Sequence, residues 1–145
     1  MTWLGTHYLG RGIISTPSAV LKRSSYRFGN NHERSSANPT ELIAAAHAGS
    51  FSMTLANELD EAGYRPDQIQ TIATVTMEKV FSRWTMTQIH LDVVATVSKV
   101  AQCDFVDATL RAKANCPISR LLKANISMRA QLLNRSASEQ KGKTS

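Results

Sequence analysis

Two side chains mark where covalent chemistry is possible in this chain. Ser50 interrupts the apolar run of NPTELIAAAHAGSFSM (38–53), and Cys116 stands directly before Pro117 in KANCPISRLLK (113–123). A serine inside a helix ordinarily bonds a carbonyl one turn back, and a single cysteine ordinarily packs as a small apolar side chain. Cys116, however, is placed at a helix start, where the peptide dipoles favour a thiolate and lower the thiol pKa. Arg120, one turn further on, would supply a positive neighbour. His47 lies one turn before Ser50, but no third partner completes a hydrolase arrangement. His7, His32, His47 and His90 are scattered and no C-x-x-C occurs, so no metal centre is expected. Neither a phosphate-cradling glycine loop nor a G-x-S-x-G elbow is present.

The elements that must position these residues are well signalled. Asn38 is a good N-cap, Pro39 suits the first helical position and Glu41 completes a capping-box spacing. Gly63, followed by Pro66, is placed to end that helix. Between them Leu42, Ala45, Ala46, Gly49, Met53, Ala56 and Leu59 form an apolar stripe, which predicts a central helix buried over its first half. WLGTHYLGRGIIST (3–16) reads as a glycine-interrupted hairpin, and GNNHERSSA (29–37) as a polar loop. The period then changes to two. Ile69, Thr71, Ala73, Val75 and Met77 share one face of a strand, and Ile89, Leu91, Val93, Ala95 and Val97 one face of another, with a turn near Phe81 to Arg83. Asp104 is placed to cap a second helix, Cys116-Pro117 opens a short third one, and Ile126, Met128, Ala130 and Leu132 mark a last half-buried strand. Strands, helix, strands, helices and strand without βαβ alternation give an α+β class.

With 145 residues and 42% apolar side chains the chain can build a core without metals or disulfides. One domain over 1–133 is expected, with a disordered basic tail from 134. The net charge of +6 is concentrated at the two ends, while residues 38–133 carry nine basic and nine acidic side chains. Aromatics are not interleaved with the excess, so nucleic acid is not an expected partner. The start is broken by glycines, a histidine and an arginine rather than forming a secretory h-region, and no apolar run suits a bilayer. With two cysteines, the expectation is a cytoplasmic protein away from membranes.

The motifs NPTELIAAAHAGSFSM, EAGY with IATVTMEKV, TMTQIHL and KANCPISRLLK resemble, in order and spacing, the OsmC/Ohr family of osmotically inducible and organic hydroperoxide resistance proteins, its OsmC branch in particular. The resemblance spans about 26–133. It implies curved antiparallel sheets around a long central helix, an intertwined homodimer, and thiol-dependent reduction of organic hydroperoxides by two cysteines, with an external dithiol as reductant and no bound cofactor. Residue by residue, the peroxidatic cysteine's position is Ser50 and the resolving cysteine's is Cys116. The activating acid's position is Thr40; Glu41 is a possible substitute whose capping-box place explains it otherwise. The activating arginine falls in the loop at 30–32, with Arg27 and Arg34 nearby in the wrong register.

A serine hydroxyl is hardly ionised at neutral pH and has no comparable redox ladder, so Ser50 cannot serve as a peroxidatic group. The leading expectation is a chain that keeps the fold and dimer but not the two-cysteine cycle. Two alternatives stand beside it. One is a one-cysteine peroxidase using Cys116, with Cys103 as a possible resolving thiol. The other is a binder of apolar hydroperoxides or lipid-like ligands, with Phe28, Phe51 and Met53 lining the pocket.

Overall fold

The computed structural model describes residues 1–7, 9–27 and 36–133, which fold as two compact units, Met1–Ile43 and a larger one beginning at Ala44. Phe28, Arg34, the 30–32 loop and the basic tail lie outside the described residues.

In the first unit β1 (Thr2–Leu4), β2 (Arg11–Ile14), β3 (Ser24–Tyr26) and β4 (Ser36–Ala37) form one sheet in that order. β1–β2 is the hairpin read from the glycines. At Gly10 a Cβ would stand 2.3 Å from the Thr6 carbonyl oxygen and 2.6 Å from the Trp3 ring, so only glycine fits there. The end of the polar loop is strand rather than coil: Ser36–Ala37 pairs with β3, in parallel. Asn38 then starts helix α1 (Pro39–Glu61), its Oδ1 accepting the Glu41 amide at 2.9 Å and the Thr40 hydroxyl at 2.6 Å.

In the second unit α1 ends as its sequence signals. Gly63 takes φ +85°, Gly63 N–H reaches the Asp60 carbonyl at 2.9 Å, and Tyr64 N–H reaches the Leu59 carbonyl at 2.8 Å. These are the two bonds of a Schellman motif. The buried side chains of α1 are His47, Phe51, Leu55, Glu58 and Leu59. This corrects the expected stripe: Ala45, Ala46, Gly49 and Met53 are exposed, Met53 by 76%. The helix is apolar on two faces, and the bulky one at 47, 51, 55 and 59 enters the core because it fills volume that alanines cannot.

That face packs with a three-stranded sheet, β5 (Pro66–Val80), β6 (Arg83–Val97) and β7 (Asn125–Leu133), in the order β5-β6-β7. β5 and β6 are antiparallel across a two-residue turn, Phe81–Ser82, whose φ values of 46° and 65° match the twist of a tight hairpin. Ile89, Leu91, Val93, Ala95 and Val97 face inward, as their alternation requires. The expectation of wholly antiparallel sheets is corrected by β7, which runs parallel to β6 from Gln88↔Asn125 to Thr96↔Leu133. A parallel neighbour needs a crossover, here α2 (Gln102–Asn115) and α3 (Pro117–Leu121). α2 adds Phe105, Ala108 and Ala112 to the core. Asp104 does not cap it: Ala101 holds the N-cap position without a side-chain bond, and Asp104 accepts the Tyr64 hydroxyl at 2.5 Å from within the first turn.

Candidate functional site

The junction between α2 and α3 bends the chain at Cys116, which closes one helix and opens the next. Its amide bonds the Ala112 carbonyl at 2.9 Å, and its carbonyl accepts the Arg120 amide at 3.0 Å. Pro117 at the first position of α3 needs no partner for a missing N–H and has its φ preset for the turn. The Cys116 side chain, fully buried, thereby meets α1. Ser50 Oγ lies 3.3 Å from Cys116 Sγ, so the two positions 66 residues apart in sequence face each other. The serine hydroxyl therefore spends its bond on sulfur, not on the carbonyl one turn back; Ser50's own carbonyl accepts the Thr54 hydroxyl at 2.8 Å.

Burial pushes the Cys116 thiol up, but hydrogen bonding outweighs it and leaves the pKa below its ordinary value. The Ser50 hydroxyl is the strongest of these contributions, joined by the amide and hydroxyl of Ser119 and the amide of Ile118. The lowering comes from hydrogen bonds, and Arg120, one turn further along α3, is exposed.

One turn before Ser50 on α1, His47 is fully buried, with Nε2 2.8 Å from Ser119 Oγ and Nδ1 without a partner. Burial lowers its pKa. Further along α1, Glu58 accepts Arg111 Nε and Asn115 Nδ2 from α2, each at 2.8 Å. The Asn115 and Arg111 bonds hold the Glu58 carboxyl below the usual carboxylate range, against the opposing pull of burial. A groove of about 470 Å³ opens beside Pro117, lined by Met53, Thr54, Asn57, Glu58, Glu61 and Asn115.

The sequence-derived candidates fall as follows. Ser50 and Cys116 come together. Met53 lines the groove, whereas Phe51 is fully buried in the core. Thr40 and Glu41 serve the α1 cap in the first unit, to which Arg27 also belongs. Cys103 is exposed at the far end of α2, thirteen positions from Cys116. At 1.5 Å per residue that is roughly 20 Å, beyond the ~7 Å Cα limit of a disulfide, so Cys103 is no resolving partner for Cys116 within one chain. Ser119 and Glu58 were not singled out from sequence. The C-x-x-S spacing across one helical turn was the available signal for Ser119; Glu58 had none, because its partners lie on another helix. Among the described residues no three His, Cys, Asp or Glu side chains gather as metal ligands. No helix there is long and apolar enough to cross a membrane.

A family model described as OsmC-like protein matches residues 31–131. The chain belongs to the OsmC family. It is 40% identical over 131 residues to the peroxiredoxin OsmC of Escherichia coli (strain K12), covering 90% of this chain and 92% of that one. The peroxiredoxin OsmC of Shigella flexneri gives the same values. Among solved structures, the organic hydroperoxide resistance protein OhrB of Bacillus subtilis superposes with a TM-score of 0.64 at 20% identity, covering 91% of this chain and 95% of that one. An OsmC-like protein from Mycoplasma pneumoniae does so with a TM-score of 0.68 at 9% identity, covering 85% and 95%. The α+β arrangement of a long helix and sheets is the OsmC-like fold.

Proposed function

We propose that this chain is a single-thiol member of the OsmC family, keeping the family's scaffold and Cys116 but not a two-cysteine peroxidase cycle. The observation that carries the reading is the 3.3 Å contact between Ser50 Oγ and Cys116 Sγ. A disulfide needs sulfur on both sides at about 2.05 Å, and oxygen at position 50 supplies a hydrogen bond instead. Occupancy of the site by an apolar hydroperoxide or lipid-like ligand fits the relatives' names as peroxiredoxins and hydroperoxide resistance proteins. The groove at Pro117, where Met53 and Pro117 stand beside polar side chains, is where part of such a molecule would sit. A homodimer through the exposed small-residue face of α1, no resident cofactor and a cytoplasmic location complete the proposal.

The test is dithiol-dependent consumption of cumene hydroperoxide by the wild-type chain and by Ser50→Cys. The wild type is expected to be inert. Ser50→Cys is expected to form an intramolecular disulfide with Cys116, seen by mass spectrometry without reductant, and to gain turnover abolished by Cys116→Ser. Efficient turnover by the wild type would sink the proposal.

A second reading is favoured by the lowered thiol pKa of Cys116. The thiolate would attack the distal peroxide oxygen, forming an S–O bond as the O–O bond breaks, with the alkoxide leaving as alcohol on taking a proton. Sulfur is then oxidised to a sulfenic acid, which an external dithiol reduces. Complete burial of Cys116 argues against it. Wild-type turnover lost in Cys116→Ser is the result that would establish it.

A further inference from the structure

The row of side chains by which α1 enters the core is broken at one position by a carboxylate. Its buried members are His47, Phe51, Leu55, Glu58 and Leu59, and Glu58 is 7% exposed. A charge taken out of water is costly, and an apolar side chain of similar volume in such a place is often the more stable choice. Helix electrostatics do not explain the residue either. Glu58 meets α2 in its last turn, where the peptide dipoles disfavour an anion. What the carboxylate gains is two directional bonds to one neighbouring helix. Its Oε2 accepts Arg111 Nε and its Oε1 accepts Asn115 Nδ2, each at 2.8 Å. Arg111 and Asn115 are one turn apart on the same face of α2, so the two oxygens grip a single ridge.

Asn115 is the last residue of α2, and Cys116 follows it directly. The Cys116 amide still reaches the Ala112 carbonyl at 2.9 Å, so helical hydrogen bonding runs through Asn115 to the thiol residue. On the α1 side, Ser50, Thr54 and Glu58 are spaced four apart and share one ridge. Contacts to the α2–α3 junction stand at both ends of it: Ser50 Oγ with Cys116 Sγ at 3.3 Å, and Glu58 with Asn115. At 1.5 Å per residue those ends are about 12 Å apart. A junction held at one point on a ridge can pivot, whereas one held at two cannot. We propose that Glu58 is a positioning residue for Cys116: its carboxylate holds the end of α2 on α1 through Asn115 and Arg111, and so fixes the sulfur opposite position 50. Asn115 transmits the hold because it is the neighbour of Cys116 in the chain, and Arg111 keeps the carboxylate from turning away. The inference rests on the Ser50–Cys116 contact that carries the single-thiol reading.

The hold is read as an effective concentration, the preference of the folded chain for a disulfide between positions 50 and 116 over one with glutathione. The parent is Ser50→Cys/Cys103→Ser, which carries thiols at 50 and 116 alone. Asn115→Ala is the main variant, because Asn115 is exposed and alanine suits a helix, so the fold is kept. It is expected to lower the effective concentration roughly tenfold, the scale of one lost charge-assisted hydrogen bond. Glu58→Met should lower it at least as much, and adding Asn115→Ala to Glu58→Met should lower it no further. Glu58→Gln, which keeps an acceptor for Asn115 Nδ2, should stay near the parent. A role confined to stability would move the urea midpoint and leave the effective concentration unchanged; that result in Asn115→Ala or Glu58→Met overturns the proposal. If Glu58→Met does not fold, Asn115→Ala and Glu58→Gln decide. A second measurement keeps Ser50, in Cys103→Ser: the rate at which buried Cys116 takes up a thiol reagent under native conditions, which reports local opening of the seam. Asn115→Ala should label roughly tenfold faster by the same loss, and an unchanged rate counts against the proposal. Failure of the parent to form the 50–116 disulfide would refute the single-thiol reading's geometry, and the labelling rates would then judge the hold by Glu58 separately.

Discussion

Protonating His47 would put a charge and a second donor into a seam that offers Nδ1 no acceptor. Burial accordingly lowers its pKa from the usual 6.5 in the folded chain. The unfolded chain therefore takes up the proton first as pH falls. The stability linked to His47 is complete above about pH 6.5 and is lost progressively as pH falls through that value toward the lower folded pKa. Thermal unfolding midpoints should drop across that window in the wild type, and the drop should be smaller in His47→Gln. An identical slope in the variant would show that another group is responsible. At this scale much of the site was legible: the family resemblance implied positions 50 and 116 as a pair, and those two side chains touch. The direction of Ser119 toward His47 was not legible, because a contact between α1 and α3 depends on how two helices cross and leaves no periodic trace in either.

α1 shows which features a sequence states outright. Its ends are written locally, in Asn38-Pro39 and in Gly63, and both take the expected geometry. Gly63→Ala tests the C-terminal end cleanly. A Cβ there would meet nothing within 4 Å, so the cost is the left-handed backbone alone, about 1–2 kcal/mol, readable from urea unfolding. A cost near zero would mean that the Schellman turn rearranges at no expense. The buried face of α1 was less legible, since an Ala-rich helix is apolar nearly all round and only volume distinguishes the side that enters the core. The strands divide in the same way. Alternation gave the inward faces of β5, β6 and β7 correctly, but nothing in 125–133 says that its neighbour runs parallel, because parallel pairing is decided by the crossover and not by the strand.

For the whole molecule, the surface left over by α1 is the informative part. Ala45, Ala46, Gly49 and Met53 are exposed on a helix whose other face is core. Small residues allow another backbone to approach closely, which supports the homodimer proposed above. Sedimentation should give a dimer for the wild type and a shift toward monomer for Met53→Arg, which places a charge on that face. A wild-type monomer at moderate concentration would remove the dimer from the proposal. The parallel strand β7 also has a consequence for how the chain is made. It is the last strand of the second unit, and its partner β6 is finished nearly thirty residues before β7 begins. While synthesis runs through α2 and α3, the β6 edge from Gln88 to Thr96 is unpaired, and an open edge beside an apolar face invites pairing with other nascent chains. A ribosome that stalls between Val97 and Asn125 would thus release a fragment with β6 as an open edge, whereas one that stops just after Leu133 would release one in which β6 is the central strand.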